Sequence, residues 1–341
     1  MRAHFAYLRG VTPATNHEDA LPMPMPHIFA SSDISAVINK PDVLRVIEEG
    51  FLRYSAGGVL VPPTSHMQFE HTPADIQAKL GYIEGEPFYV LKVASGFYDN
   101  PARGLASSSG VMLLFDAFNG QLMAIMLDEG LLTNLRSAAA GVIAAKYLAP
   151  TDVTCIGIVG TGIQARLQLE WLQEVIPCRC AVVWGREESH LDAYVADMGP
   201  GYDITPTTEM SELTRRCKLI VTTTAATAPL LFAEQLLPGT HITAMGADAH
   251  GKQEVDPNIL YKADIVVADS ISQCVDYGEI SHATNVVLQI RELGSVIENP
   301  RLQRRDNEQL TVADLTGVAV QDAKIAALVY DRLLEGQNEG K

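Results

Sequence analysis

Hydrophobic positions change their period three times along the chain. After Ser31-Ser32-Asp33, residues suited to a helix N-cap, Val43, Val46, Ile47, Gly50 and Phe51 recur at helical spacing. From about Val59 to Leu127 the apolar positions fall into short runs, such as Phe88 to Val93 and Gly110 to Phe115, separated by Gly, Pro, Asn and Asp. That pattern predicts an antiparallel sheet, and Asn119-Gly120 between two of the runs is the sequence of a tight hairpin. An Ala-rich helix follows over Leu135 to Leu148, stopped by Pro150, its small residues suited to close packing.

Beyond Pro150, strands and helices alternate. Strands are expected at Cys155 to Val159, Cys180 to Trp184, Leu219 to Thr223, His241 to Met245 and Ile265 to Ala268, with helices at Ala165 to Val175 and Glu188 to Ala196. Alternation of this kind predicts an α/β architecture with a parallel sheet covered by helices. A last helix, about Gln321 to Leu334, follows that series and is expected to return to the first domain. Residues 1–26 end in Leu21-Pro22-Met23-Pro24-Met25-Pro26, where each proline removes a backbone donor, and read as an extended arm or tail.

Composition narrows the class. A chain of 341 residues exceeds the roughly 250–300 at which single cores stop growing, so two domains are expected. With 47% hydrophobic and 19% charged residues the chain should fold rather than stay disordered. A net charge of −16 opposes broad attraction to nucleic acid or anionic lipid, so any anionic ligand needs a local basic pocket. With no apolar run of membrane-spanning length and no basic-then-apolar leader, the expected location is the cytoplasm. Five cysteines, at 155, 178, 180, 217 and 274, show no paired C-x-x-C; Cys178 and Cys180 lack the second half of a zinc site, so no metal is expected and all five read as free structural thiols.

The most informative stretch is the β-branched run Val153 to Val159 followed by Gly160-Thr161-Gly162-Ile163-Gln164-Ala165 and an amphipathic helix. Gly160 allows the tight turn, Gly162 lets the backbone approach a pyrophosphate, and Ala165 allows close helix–strand packing. Alone, the pattern also fits an ordinary βα turn; between a strand and a helix it points to a Rossmann dinucleotide site. The second strand ends in Gly185-Arg186, where an NAD site commonly places a carboxylate, and Glu187 stands slightly late for that slot. Arg186 could hold the 2′-phosphate of NADP or be a solvated surface arginine; the cofactor expected is NAD(P)H, with the balance tilted towards NADP.

Three stretches in order, Asp128-Glu129-Gly130-Leu131-Leu132-Thr133-Asn134-Leu135-Arg136-Ser137-Ala138-Ala139, the Gly160 turn, and Met245-Gly246-Ala247-Asp248-Ala249-His250-Gly251-Lys252-Gln253-Glu254, resemble the ornithine cyclodeaminase/μ-crystallin family over about residues 27–334. The resemblance implies a homodimer with a substrate-binding and dimerisation domain over 27–133 and 318–341, and a Rossmann domain over 134–317. It also implies that Lys92 and Arg136 hold a substrate α-carboxylate and that Asp248 exchanges a proton with a substrate amine or imine, Lys92 and Asp248 forming the catalytic pair. Cofactor-lining segments are implied at Thr222, Thr223 and Thr224, at Met245 and Gly246, at Asp269 and Ser270, and at Thr316, Gly317 and Val318; His250 and Lys252 stand as weaker candidates. Without the resemblance, Lys92 would read as a snorkelling lysine, Arg136 as a helix-surface ion pair and Asp248 as an Asx turn.

Two departures bear on substrate. Pro62-Pro63-Thr64 stands where many members carry an arginine, and Lys79 falls where the cyclodeaminase has an acidic residue for ornithine's distal amine. Lys79 is therefore placed in the substrate pocket, where it would repel that amine. The functions carried forward are an NAD(P)H-dependent imino acid reductase or amino acid dehydrogenase, an ornithine cyclodeaminase converting ornithine to proline and ammonia with catalytic NAD, and a cofactor-binding protein without turnover. The expected partner is a small amino or imino acid, with no nucleic acid and no membrane.

Overall fold

The computed structural model describes residues 25–284 and 287–339, so the arm expected over 1–26 lies, apart from Met25 and Pro26, outside the described residues. The first sheet holds β1 (His27–Ala30), β2 (Val59–Leu60), β3 (Ser65–Gln68), β4 (Ala74–Ile83), β5 (Phe88–Phe97), β6 (Ser108–Asp116) and β7 (Leu122–Leu127), in the order β1-β7-β6-β5-β4-β2 with β3 also on β4. Pairing is antiparallel as the pattern predicts, except that β1 joins β7 in parallel. The Asn-Gly hairpin closes as expected: the Asp116 carboxylate accepts from the Phe118 and Asn119 amides at 2.7 and 3.0 Å, and Gly120 takes φ +75°.

Strand alternation sorts β4 into two faces. Lys79 and Ile83 are buried on one side, while Leu80 is exposed on the other. The inner face is covered by α1 (Ser31–Val37) and the C-terminal helix, which packs on β4, β5 and β6 and so returns to the first sheet, with α2 (Lys40–Ala56) packed against that helix. The outer face carries exposed Leu60 and Leu80 beside stacked Tyr89 and Phe115 rings, centroids 4.8 Å apart.

Between the sheets lies α3 (Leu131–Leu148), which starts four residues ahead of the Ala-rich run because Asp128 accepts from the Leu132 amide at 2.8 Å and Gly130 supplies a left-handed N-cap. Its small residues let α4 (Ile163–Leu172) approach closely: a Cβ on Gly141 would sit 2.2 Å from the Gln168 Oε1.

The second sheet is parallel throughout. Its strands are β8 (Ile156–Val159), β9 (Cys180–Trp184), β10 (Asp203–Thr207), β11 (Leu219–Thr222), β13 (His241–Ala244), β15 (Ile265–Ala268), β16 (Ile290–Glu292) and β17 (Thr311–Asp314); β12 (Thr227–Leu231) and β14 (Gln253–Val255) form a separate pair. The order β10-β9-β8-β11-β13-β17-β15-β16 means that the chain winds outward from β8 in one direction, then from β11 in the other, with the last strand β17 returning between β13 and β15. The switch point between β8 and β11 is where ligands of open α/β sheets collect, outside the strand carboxyl ends. Helices α5 (Glu188–Met198), α6 (Met210–Thr214), α7 (Pro257–Lys262), α8 (Ile271–Tyr277) and α9 (Leu293–Glu298) precede the C-terminal α10 (Ala319–Glu339). Among the described residues no helix is long and apolar enough to cross a membrane.

Two features escape sequence reading. Central strand β17 has only four residues, two of them polar; Thr311 is buried because its hydroxyl meets His241 Nδ1 at 2.8 Å and the Leu148 carbonyl at 3.0 Å. The expectation of five free thiols also fails: Cys155 and Cys180 form a disulfide, and only Cys178, Cys217 and Cys274 are free. The register Ile156↔Ala181 sets the two side by side at the starts of neighbouring parallel strands, a proximity that a sequence separation of 25 conceals.

Candidate active site

The carboxyl edge of the second sheet faces the first sheet across a cleft of about 240 Å³. At its dinucleotide side Gly160 takes φ +119°, and a Cβ there would meet the Thr223 hydroxyl at 2.7 Å. Gly162 caps α4 without any side-chain bond to the helix, and a Cβ built on it meets nothing within 4 Å. The N-terminus of α4 therefore has open space beside Gly162, which fits the approach of a pyrophosphate. Thr161 packs its methyl on Gly185, Ile163 is 55% exposed, and Gln164 lines the cleft while donating to the Asn134 carbonyl at 3.1 Å. Arg186, past the end of β9, is exposed and has no hydrogen bond or ion pair among the described residues.

Buried carboxylates hold the loops at this edge. Glu254, fully buried, accepts from the Thr222 hydroxyl at 2.6 Å, from the Thr224 amide and hydroxyl at 2.6 Å each, and from the Gly246 amide at 2.8 Å. It ties the loop after β11 to the loop after β13. Thr223, Thr224, Met245 and Gly246 line the cleft as the resemblance implies, whereas Thr222 is buried beneath it as an anchor. Asp269 does the same for the loop after β17, accepting from the Gly317 amide at 2.6 Å and the Thr316 hydroxyl at 3.1 Å. Gly317, at φ +83°, presses its backbone on the Arg136 guanidinium; a Cβ would come within 2.4 Å of Nη1.

The basic side of the cleft is a layered cluster. Lys79 and Lys92 are direct neighbours across β4 and β5, both buried, and Arg136 comes from the first turns of α3. Asp322, fully buried on α10, lies 3.1 Å from the Lys92 ammonium and 3.2 Å from Arg136 Nε. Lys79 donates instead to the carbonyls of Thr316 at 3.1 Å and Gly317 at 2.7 Å. Of the two expected carboxylate ligands only Arg136 lines the cleft; Lys92, and Lys79, expected in the substrate pocket, both stand behind it. Burial pushes the Lys79 ammonium down to about 8, with the nearby Arg136 adding to the effect.

Asp248 also lines the cleft, its side chain 39% exposed and its Oδ1 2.6 Å from the Lys252 ammonium. Burial raises the carboxyl's affinity for a proton, but the ammonium outweighs it and holds Asp248 below the usual carboxylate range. Of the two weaker candidates, Lys252 lies in the cleft, whereas His250 stands outside it beside the Tyr277 ring and 3.8 Å from Asp276. Sequence reasoning assigned no role to Tyr98, Asp75, Glu254 or Asp322. The available signal for Asp322 was a carboxylate inside the apolar run Val318 to Ala326.

Residues 26–337 match the ornithine cyclodeaminase/mu-crystallin family. The chain belongs to this family, and its second sheet is the family's NAD-binding type of α/β fold. An uncharacterized cyclodeaminase of Sinorhizobium fredii is 36% identical, aligning over 92% of this chain and 97% of its own length. The NAD-bound dimer of an archaeal alanine dehydrogenase superposes with a TM-score of 0.81 at 31% identity, covering 92% of this chain and 97% of that one. The Δ1-pyrroline-2-carboxylate reductase of Thermococcus litoralis, in complex with NADH and L-proline, superposes with a TM-score of 0.85 at 27% identity, covering 91% and 98%.

Proposed function

We propose that this chain is an NAD(P)H-dependent imino acid (ketimine) reductase, equivalent in reverse to an amino acid dehydrogenase. The observation that carries this reading is the placement of Arg136 and Asp248 in the lining of one small cleft that the loops held by Glu254 and Asp269 also border. A guanidinium suits an α-carboxylate, and an ionised carboxylate suits the N–H of an iminium. The nicotinamide, when bound, supplies or receives the hydride. In the reductive direction the hydride adds to the carbon of C=N⁺ and the π pair becomes the nitrogen lone pair. Arg136 orients the substrate and ionised Asp248 stabilises the cation before transfer; in the oxidative direction the substrate ammonium first gives a proton through Asp248 to solvent, and the neutral amine's lone pair then forms C=N⁺ as hydride leaves. Lys92 acts through Asp322, which fixes the guanidinium.

Exposed Arg186 favours NADP(H), as a fork for a 2′-phosphate. The apolar outer face of the first sheet, with Leu60 and Leu80 exposed, is the surface proposed to meet a second copy in a homodimer. Ornithine cyclodeaminase is the alternative, distinguished by release of ammonia from ornithine.

The test is oxidation of NADPH and NADH with pyrroline-2-carboxylate, piperideine-2-carboxylate, iminosuccinate, and pyruvate with ammonia or methylamine. Turnover of at least one imine, faster with NADPH, is the expected result. Absence of turnover on all would refute the reductase, and ammonia release from ornithine without net nicotinamide change would establish the cyclodeaminase. In the same reading Glu254→Ala leaves four donors without their acceptor. One unsatisfied buried donor costs about 1–3 kcal/mol, so NADPH binding, followed by fluorescence titration, should weaken about tenfold or more. Unchanged affinity would remove Glu254 from the cofactor site.

A further inference from the structure

The geometry points to Lys252 as the positioning residue that keeps Asp248 ionised and aimed across the cleft, itself held from the opposite sheet by Asp75. The Lys252 ammonium lies between two carboxylates, 2.6 Å from Asp248 Oδ1 on its own loop and 4.0 Å from Asp75 Oδ2 on β4. Tyr98, just past β5, donates to the same Asp75 oxygen at 3.0 Å. Tyr98, Lys252 and Asp248 all line the cleft, so the row Tyr98–Asp75–Lys252–Asp248 spans it from one sheet to the other.

This inference rests on the reading of Asp248 as the carboxylate that faces the substrate nitrogen. For that task the carboxylate must stay charged although partly enclosed, and enclosure alone would favour its protonated form. Lys252 supplies the compensating charge at hydrogen-bond distance, and the bond occupies one oxygen, Oδ1. The remaining charged and titratable groups facing Asp248 are Lys79 from β4, Arg136 from α3, His66 from β3 and Tyr98. The cations Lys79 and Arg136 work in the same direction as Lys252, but neither bonds directly to Asp248, whereas Lys252 does. Asp75 has the opposite influence: it draws part of the Lys252 charge away from Asp248 while fixing the ammonium in place.

The discriminating measurement is the pH profile of kcat/KM for imine reduction in Lys252→Met, Lys252→Arg, Asp75→Asn and Asp248→Asn. An opposite charge at this range lowers a carboxyl by about 1–3 pH units. Lys252→Met should therefore move the acidic limb up by about 1–3 units, and Lys252→Arg should restore it. Asp75→Asn should move the limb the other way, by less than about one unit, since the full Lys252 charge then falls on Asp248. A merely structural lysine would give lower rates with an unmoved limb, and opposite shifts could not arise from loosened packing. If Lys252→Met fails to fold, the sign of the Asp75→Asn shift decides the matter. An unmoved limb in the Lys252 and Asp75 variants while Asp248→Asn is inactive would overturn this inference alone; an active Asp248→Asn would overturn the reading on which it rests.

Discussion

Asp322→Ala is expected to destabilise the protein by about 3–5 kcal/mol, the cost typical of removing one partner from a buried ion pair. The carboxylate is fully buried between Lys92 and Arg136, themselves almost wholly enclosed, so its loss leaves the Arg136 guanidinium confined without an anion. Burial already pushes the Lys92 ammonium down to about 7 and that of nearby Lys79 down to about 8, so both are driven further towards the neutral form when Asp322 is lost. The cluster also fixes the sign of a pH effect. Burial would raise the Asp322 carboxyl, but Lys92 and Arg136 hold it below its ordinary 3.8. Its contribution to stability is therefore complete above that ordinary value and is lost as pH falls through the lower, folded value. Denaturant unfolding gives the check: the midpoint falls at unchanged slope, and the variant lacks the part of the acid sensitivity that comes from this group. A loss below about 1 kcal/mol, within the range of exposed pairs, would show that the cluster is hydrated and the ion pair weak.

Asp248→Asn should lower kcat/KM for imine reduction by about 10²–10⁴, the range typical of a positioned acid–base group. The amide keeps the carboxylate's shape but cannot balance a cationic iminium. It also leaves the Lys252 ammonium with Asp75 alone, which adds net positive charge to the cleft wall where the substrate cation must sit. Cofactor affinity should be nearly unchanged, because the Gly160 turn and Glu254 hold the dinucleotide loops without Asp248. Steady-state kinetics with separate NADPH titration distinguishes the two effects, and a loss of less than about tenfold would end the catalytic assignment.

How much of this could be read from residues alone depended on how local the signal was. The Gly160 turn is legible because strand, glycines and helix are contiguous, and the Asn119-Gly120 hairpin for the same reason. Alternation in β4 also carried usable information: a lysine at 79 and a glycine at 81 share the inward side, and Leu80 the outward one, the reverse of a sheet with one wet face. The pattern could not say what faces Lys79, because the Thr316 and Gly317 carbonyls come from more than two hundred residues away. Asp322 was missed for the same reason, since Lys92 lies 230 positions earlier. Lys92 and Arg136 were matched through resemblance, yet only the three-dimensional arrangement separates the one that reaches the cleft from the one that braces it. The disulfide at Cys155 and Cys180 required a strand register that spacing does not encode.

Helix α3 belongs to the cores of both sheets. One continuous apolar cluster runs from Phe29 and Met112 through Ala138 and Ala139 to Ile158 and Leu169. Cut between the sheets, the chain would not fall into two self-sufficient fragments, for whichever piece lost α3 would expose a bare apolar floor. The same sharing ties the guanidinium of Arg136 to the wall behind the Gly160 turn. Arg136 rides on the helix against which α4 packs, so the two halves of the cleft have a common rigid reference, and opening the cleft must be accommodated in the loops at its mouth rather than in its back wall.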